Sequence, residues 1–366
     1  MIRTGLSVLA LLAASALAMP AHADAPDERF YGPLRARDLT PFGFLRLDMR
    51  PAHTVSIEPR TWAAEVELAY QNTWAMSPQV ERYLTDREAA GRHALGPADL
   101  QAIRDLPGEN YLVDLESAVL DVTMRYKFTR YLSGYVIASA VSYQGGFLDG
   151  PIEAFHEAFG FSSFGRPAAR RNDVNILFDL KSAQVAYFHA PTGGGLSDPT
   201  IGVRHTGSWA HGRWKFGLEG AIKIPIAGRR LLLSTGRTDF GMQAFLQRRA
   251  GAHGFNASAA AVYFAGESEP VPQASQVVPT LIVGYEYRMT ERTNLNLQGY
   301  LSKSTFTRKT TDLAELRKAK YQVTVGLHHR RDDLLYFFGI TENLQNVNNT
   351  PDLGLQLGVA LLPHPR

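Results

Sequence analysis

The sequence predicts an all-β fold: a transmembrane, antiparallel, up-and-down β-barrel of about 14 strands (roughly 12–16) with short periplasmic turns, and long extracellular loops carrying small helices. Three observations carry this. Apolar and polar residues alternate strictly, with a period of two, in run after run. Short and long connections between the runs alternate along the chain. The N-terminus has the build of an export signal.

That signal comes first. Met1-Ile2-Arg3-Thr4 is a short basic start, Leu6 to Leu17 is apolar, and Ala21-His22-Ala23 is a small-x-small cleavage site. Residues 1–23 therefore read as a cleaved signal peptide, since the apolar run falls short of the ~20 residues a helical span needs. The chain has no Cys, which excludes disulfides and a lipid anchor on an N-terminal Cys. A net charge of +3 over 366 residues, with both signs interspersed, leaves no basic stripe for nucleic acid. Residues 24–61 include PFGFLRLDMRPAH, too charged for a lipid-facing strand. They are expected to form either a periplasmic segment or a strap that plugs the lumen, with Phe42, Phe44 and Leu45 as candidate anchors.

The barrel is expected over 62–362. In the stretch LDVTMRYKFTRYLSGYVI, Leu120, Val122, Met124, Tyr126 and Phe128 alternate with Asp121, Thr123, Arg125 and Lys127. The first set should face lipid and the second a wet lumen. In the strand that follows, Tyr135, Ile137 and Val141 share one parity and form the greasy face of the hairpin. The same pattern recurs in 62–73, 173–180, 183–190, 199–208, 212–225, 236–249, 253–266, 276–288, 292–304, 319–330, 333–342 and 351–361. The candidate lumen-lining charges are Glu65, Glu67, Asp121, Arg125, Lys127, Lys215, Glu219, Lys223, Arg237 and Asp239. Aromatic residues at strand ends, among them Trp62, Tyr126, Tyr285 and Tyr321, suit a girdle at a bilayer interface. An open edge in lipid would leave backbone groups unpaired, so 62–73 must close against 351–361.

The loops hold helices. Ser77-Pro78 caps one that runs through VERYLTDREAA, and Pro97-Ala98-Asp99 starts a second. Pro151 starts a third, PIEAFHEAFG, with Ile152, Phe155 and Phe159 on one stripe and Gly160 as its cap. Phe155 and Phe159 are candidate anchors, either within the loops or as a plug in the barrel mouth. His156, with Glu153 and Glu157 beside it, reads as a loop helix with a solvated acidic face rather than a metal site. His205 and Ser208 lack an orienting third group, and Gly193-Gly194-Gly195 lacks the helix and Lys-Ser/Thr of a phosphate loop. No enzyme, cofactor or metal is expected. Two functions fit: a passive channel or transporter for a small solute, or a structural barrel with a filled lumen that interacts through its loops. The expected partners are outer-membrane lipid, the barrel assembly machinery and a small solute.

Three segments, ENYLVDLESAVLDVTMRYKF (109–128), GGFLDGPIEAFHEAFGFSSFGR (145–166) and TENLQNVNNTPDLGLQLGVAL (341–361), resemble an uncharacterised family of Gram-negative outer-membrane proteins, a domain of unknown function (3187). The resemblance implies a barrel in the outer membrane and implies no activity. In strand count alone the chain is also similar to long-chain fatty-acid transporters, an analogy of architecture.

Overall fold

The computed structural model describes residues 29–37, 45–55, 57–180, 193–210, 212–229, 232–265, 276–345 and 349–363. The expected signal peptide, the strand at 183–190, Phe42 and Phe44 lie outside these residues.

The described strands are β1 (Trp62–Met76), β2 (Asn110–Lys127), β3 (Leu132–Gln144), β4 (Asn175–Asp179), β5 (Gly193–Leu196), β6 (Thr200–Trp209), β7 (Trp214–Lys223), β8 (Asp239–Ala250), β9 (His253–Phe264), β10 (Gln276–Arg288), β11 (Thr293–Ser302), β12 (Lys320–Arg331), β13 (Leu334–Gln345) and β14 (Leu353–Leu361). They form one 14-stranded antiparallel sheet. It closes because β1 pairs with β2 on one side and with β14 on the other, from Ala64↔Leu361 to Asn72↔Leu353. The ring itself has twelve staves, because β4 and β5 each pair with a single neighbour. β4 continues the pairing of β2 beyond the end of β3, at Asn110 to Asp114. β5 and β6 both pair with β3 and are parted only by residues 197–199. Asp198 fixes that break. Its carboxylate accepts the Ile226 and Ala227 N–H groups at 3.0 Å, the Ser234 hydroxyl at 2.6 Å and Lys223 Nζ at 2.9 Å.

The parity of β1 and β2 is the one the alternation predicts. Trp62, Val66, Leu68, Leu120, Val122 and Met124 are exposed, while Glu65, Glu67, Asp121 and Lys127 are buried inside the ring. β3 corrects the expectation for its own strand. Tyr135 and Val141 are buried inside the ring, and Ile137 lines an internal cavity. Opposed residues in a ladder share a face, and the register sets Tyr135 against inward Arg125. Burial satisfies the tyrosine, whose hydroxyl donates to Glu219 at 2.6 Å. The outward side of β3 is modest by comparison, with Val136 between small residues.

At the long-loop end the wall rises above its neighbours. β2 has 18 residues, against the ~9–11 a membrane strand needs. The outward side of this extension is covered by α1 (Pro78–Thr85) and α2 (Pro97–Arg104), both starting on proline as expected, and by residues 164–169. Trp74, Met76, Val80, Leu84, Ile103, Leu112 and Leu177 make one apolar cluster there. A third helix, α3 (Asp149–Phe159), starts two residues earlier than Pro151 suggests and ends on left-handed Gly160. A one-turn helix, α4 (Ala314–Arg317), sits between β11 and β12.

α3 does not enter the barrel mouth. Glu116, on the outward parity of β2, accepts the Phe147 N–H at 3.0 Å and the Leu148 N–H at 2.6 Å. Asp149 is buried and accepts from Asn72 at 2.9 Å and Arg166 at 2.8 Å. These contacts hold the helix start against the outside of the wall. Of the predicted stripe only Ile152 is buried, while Phe155 and Phe159 are 52% and 65% exposed.

Two expected outcomes follow from this topology. A protease site placed at 305–318 should be cut on intact cells and one at 289–292 should not. Val66→Arg, a charge on the lipid face, should cost about 2–4 kcal/mol near the bilayer midplane, read from urea unfolding in vesicles.

Candidate functional site

The inward faces of twelve staves enclose the candidate site, and the described parts of the N-terminal segment run through it. Tyr31, Leu34, Arg35, Met49, Arg50 and His53 are all buried. The segment doubles back on itself, with Thr54 N–H donating to the Tyr31 carbonyl at 2.9 Å. Backbone bonds then tie it to the wall. Glu286 accepts the Tyr31 and Gly32 N–H groups at 2.9 and 3.1 Å, and Asp239 accepts that of Leu47 at 3.0 Å. Gln243 donates to the Met49 carbonyl at 2.6 Å, Arg249 to that of Phe30 at 3.1 Å and Lys215 to that of Thr54 at 2.7 Å.

Charge complementarity does the rest. The segment supplies cations and the wall supplies carboxylates. Arg35 pairs with Glu65 at 2.9 Å, and His53 lies 3.2 Å from the same carboxylate. Arg50 bridges Glu67 at 2.8 Å and Asp121 at 3.0 Å, and Arg37 reaches Asp121 at 2.6 Å. Apolar side chains of the segment seat in gaps of the wall. A Cβ at Gly241 would strike Met49, one at Gly254 would strike Phe30, and one at Gly326 would strike Leu34. Leu45 is buried too, in a cluster with Val141, Leu232 and Phe306.

Most of the remaining predicted lumen charges pair across the wall itself. Glu219 accepts from Arg204 at 2.5 Å as well as from Tyr135. Lys223 lies between Asp198 at 2.9 Å and Asp239 at 3.4 Å, and Arg237 stands 3.5 Å from Asp239 and over the Phe264 ring. Lys127 donates to the Thr206 hydroxyl at 3.0 Å. Arg125 projects into a cavity between segment and wall. Glu286, Arg249 and Arg204 also face inward: Arg249 and Arg204 share the polar parity of their strands, whereas Glu286 shares its parity with the buried Val278 and Ile282, so alternation does not mark it. The sequence reading passed over all three, and over the arginines of the segment, which no periodicity marks.

Among the described residues, the spaces flanking the segment include three small cavities of about 30, 30 and 40 Å³. Each has room for a few ordered waters, since about 10–15 Å³ suffices for one.

The family model described as "Protein of unknown function (DUF3187)" matches residues 107–361. No curated protein matches the chain. Among solved structures, an outer membrane channel of Pseudomonas putida F1 superposes with a TM-score of 0.53 at 10% identity, over 86% of this chain and 99% of that one. The translocator domain of the autotransporter NalP from Neisseria meningitidis gives 0.42 at 7% identity, over 83% and 90%. A FadL homologue of Pseudomonas aeruginosa gives 0.38 at 10%, over 84% and 96%. At these identities the likeness is one of fold, and of the three only the Pseudomonas putida channel carries it above 0.5.

Arg50 offers the sharpest test of the packing. Arg50→Met leaves the buried Glu67 carboxylate without its partner and should cost about 3–5 kcal/mol. Arg50→Met combined with Glu67→Gln should cost clearly less than the two single losses added, as a double-mutant cycle on urea midpoints would read.

Proposed function

The chain belongs to the DUF3187 family of proteins of unknown function, and we propose that it is an outer-membrane channel for a small polar solute, closed at rest by its own N-terminal segment. On this reading residues 1–23 are removed on export, and 24–61 form a strap inside the barrel.

The observation that supports it is the charged character of the strap–wall contact. Arg35, Arg37 and Arg50 meet Glu65, Glu67 and Asp121. A buried ion pair gains little over the same two ions in water, because attraction and desolvation nearly cancel. A strap that withdraws therefore leaves a wall that water can solvate, not a bare apolar surface. The wall between the ion pairs is polar too, with Gln243, Asn256, Ser258, Gln298, Thr324 and Gln356 buried on the inward side. An apolar solute would strand these groups unpaired, whereas a polar one can bond to them. The ring does not rely on the strap for backbone pairing, since β1 closes on β14 without it.

The alternative, a structural barrel with a permanently filled lumen, draws on the smallness of the remaining cavities. Planar-bilayer conductance separates the two. The mature chain should conduct weakly, and a chain lacking 24–60 should conduct several-fold more. Silence from both proteins, each shown folded by heat-modifiable migration on gels, would leave only the structural barrel.

A further inference from the structure

On the inward face of β2, two cations stand without a carboxylate. Arg125 has neither an ion pair nor a hydrogen bond among the described residues, and its Nη2 is shielded from solvent. Lys127, two residues further toward the short-turn end, has the Thr206 hydroxyl and no ion pair among the described residues.

The surroundings of Arg125 cannot neutralise it. The cavity it enters, about 30 Å³, is lined by the guanidiniums of Arg35, Arg50, Arg125 and Arg204 and by the carboxylates of Asp48, Glu65 and Glu219. Each carboxylate is engaged elsewhere. Glu65 serves Arg35 and His53, Glu219 serves Arg204 and Tyr135, and Asp48, whose Oδ2 accepts no hydrogen bond among the described residues, has an interaction of its own. Arg50 is answered by Glu67 and Asp121, so Arg125 is the lining guanidinium without an ion pair among the described residues. Arg125 is half-buried with its Nη2 shielded, and a counter-ion in the cavity offsets the cost of that unpaired charge.

We propose that this cavity is an anion site: Arg125 holds a small monovalent anion of halide size, and Lys127 is the step by which it enters from the short-turn end. The chemistry is charge-assisted N–H donation from the guanidinium. The volume fixes the class. A cavity with room for about two waters takes a halide and refuses a nucleotide or a sugar phosphate. This site goes beyond the channel reading and does not require the strap to move.

The test uses the full mature chain. Crystals soaked in sodium bromide should show an anomalous peak at the Arg125 guanidinium. The thermal midpoint in detergent should be higher in chloride than in a bulky sulfonate at equal ionic strength. Arg125→Gln, folded by heat-modifiable migration, should lose both the peak and the chloride dependence. The proposal is overturned if the unaltered protein shows no bromide in this cavity, whether bromide binds elsewhere or nowhere, because water then compensates Arg125. It is equally overturned if the peak survives in Arg125→Gln. Should that variant fail to fold, the bromide map of the unaltered protein decides alone. A bromide peak in a protein that never conducts would retain the site and strike out the channel.

Discussion

Every other feature of this molecule depends on one closure, the antiparallel pairing of β1 with β14. In hydrocarbon an unpaired backbone group costs several kcal/mol, and only a ring gives every strand two neighbours. Once the ring is closed, the two-residue period divides each strand between two solvents. Residues such as Val66 and Leu68 go to lipid, and Glu65 and Glu67 go inside. The inside then becomes the problem to solve. Charged walls cannot face an empty space, and twelve tilted strands enclose more than a line of side chains fills. The N-terminal segment answers with arginines where the wall has carboxylates.

The same closure explains the outer cap. β1 and β2 are longer than the bilayer requires, so their outward faces emerge from lipid at the long-loop end. There the outward parity is free to be polar, and Asn72, Asp114 and Glu116 occupy it. Loop residues 145–172 supply the partners. Arg166 reaches Asp149, Asn72 and Asp352, so one guanidinium ties the loop to both sides of the β1–β14 seam. Apolar packing of Trp74 and Leu112 against α1 and α2 covers the rest.

Much of this was legible in the sequence because strand parity is a local property. The inward set on β1, β2, β7 and β8 follows from alternation alone, and the alternation of short and long connections follows from an up-and-down ring. What failed was non-local. Tyr135 and Val141 look lipid-facing by composition, yet the register with β2 turns them inward, where Tyr135 meets Glu219, 84 residues away. The stripe Ile152, Phe155 and Phe159 shows that α3 has an apolar side and cannot show which surface receives it. Glu116 and Asp149 decide that from other elements. The segment at 173–180 does form a strand, but its role as an extension of β2 depends on where β3 stops. The strap left no periodic trace at all, because its order is imposed by the wall.

The small inward residues carry the last step. Glycines along the lumen suggest spare volume when read strand by strand. In the fold several are sockets: Gly241 receives Met49, Gly254 receives Phe30 and Gly326 receives Leu34. Ion pairs alone would tolerate sliding, since a guanidinium can exchange one carboxylate for the next. Sockets do not, because each admits one side chain at one height. Sockets and charges thus divide the work. The sockets fix where the strap sits, and the charges keep the surfaces it covers compatible with water. An interior built from apolar contacts alone would have given a filled barrel with no alternative state. An interior built from charges alone would have given a strap with no defined position.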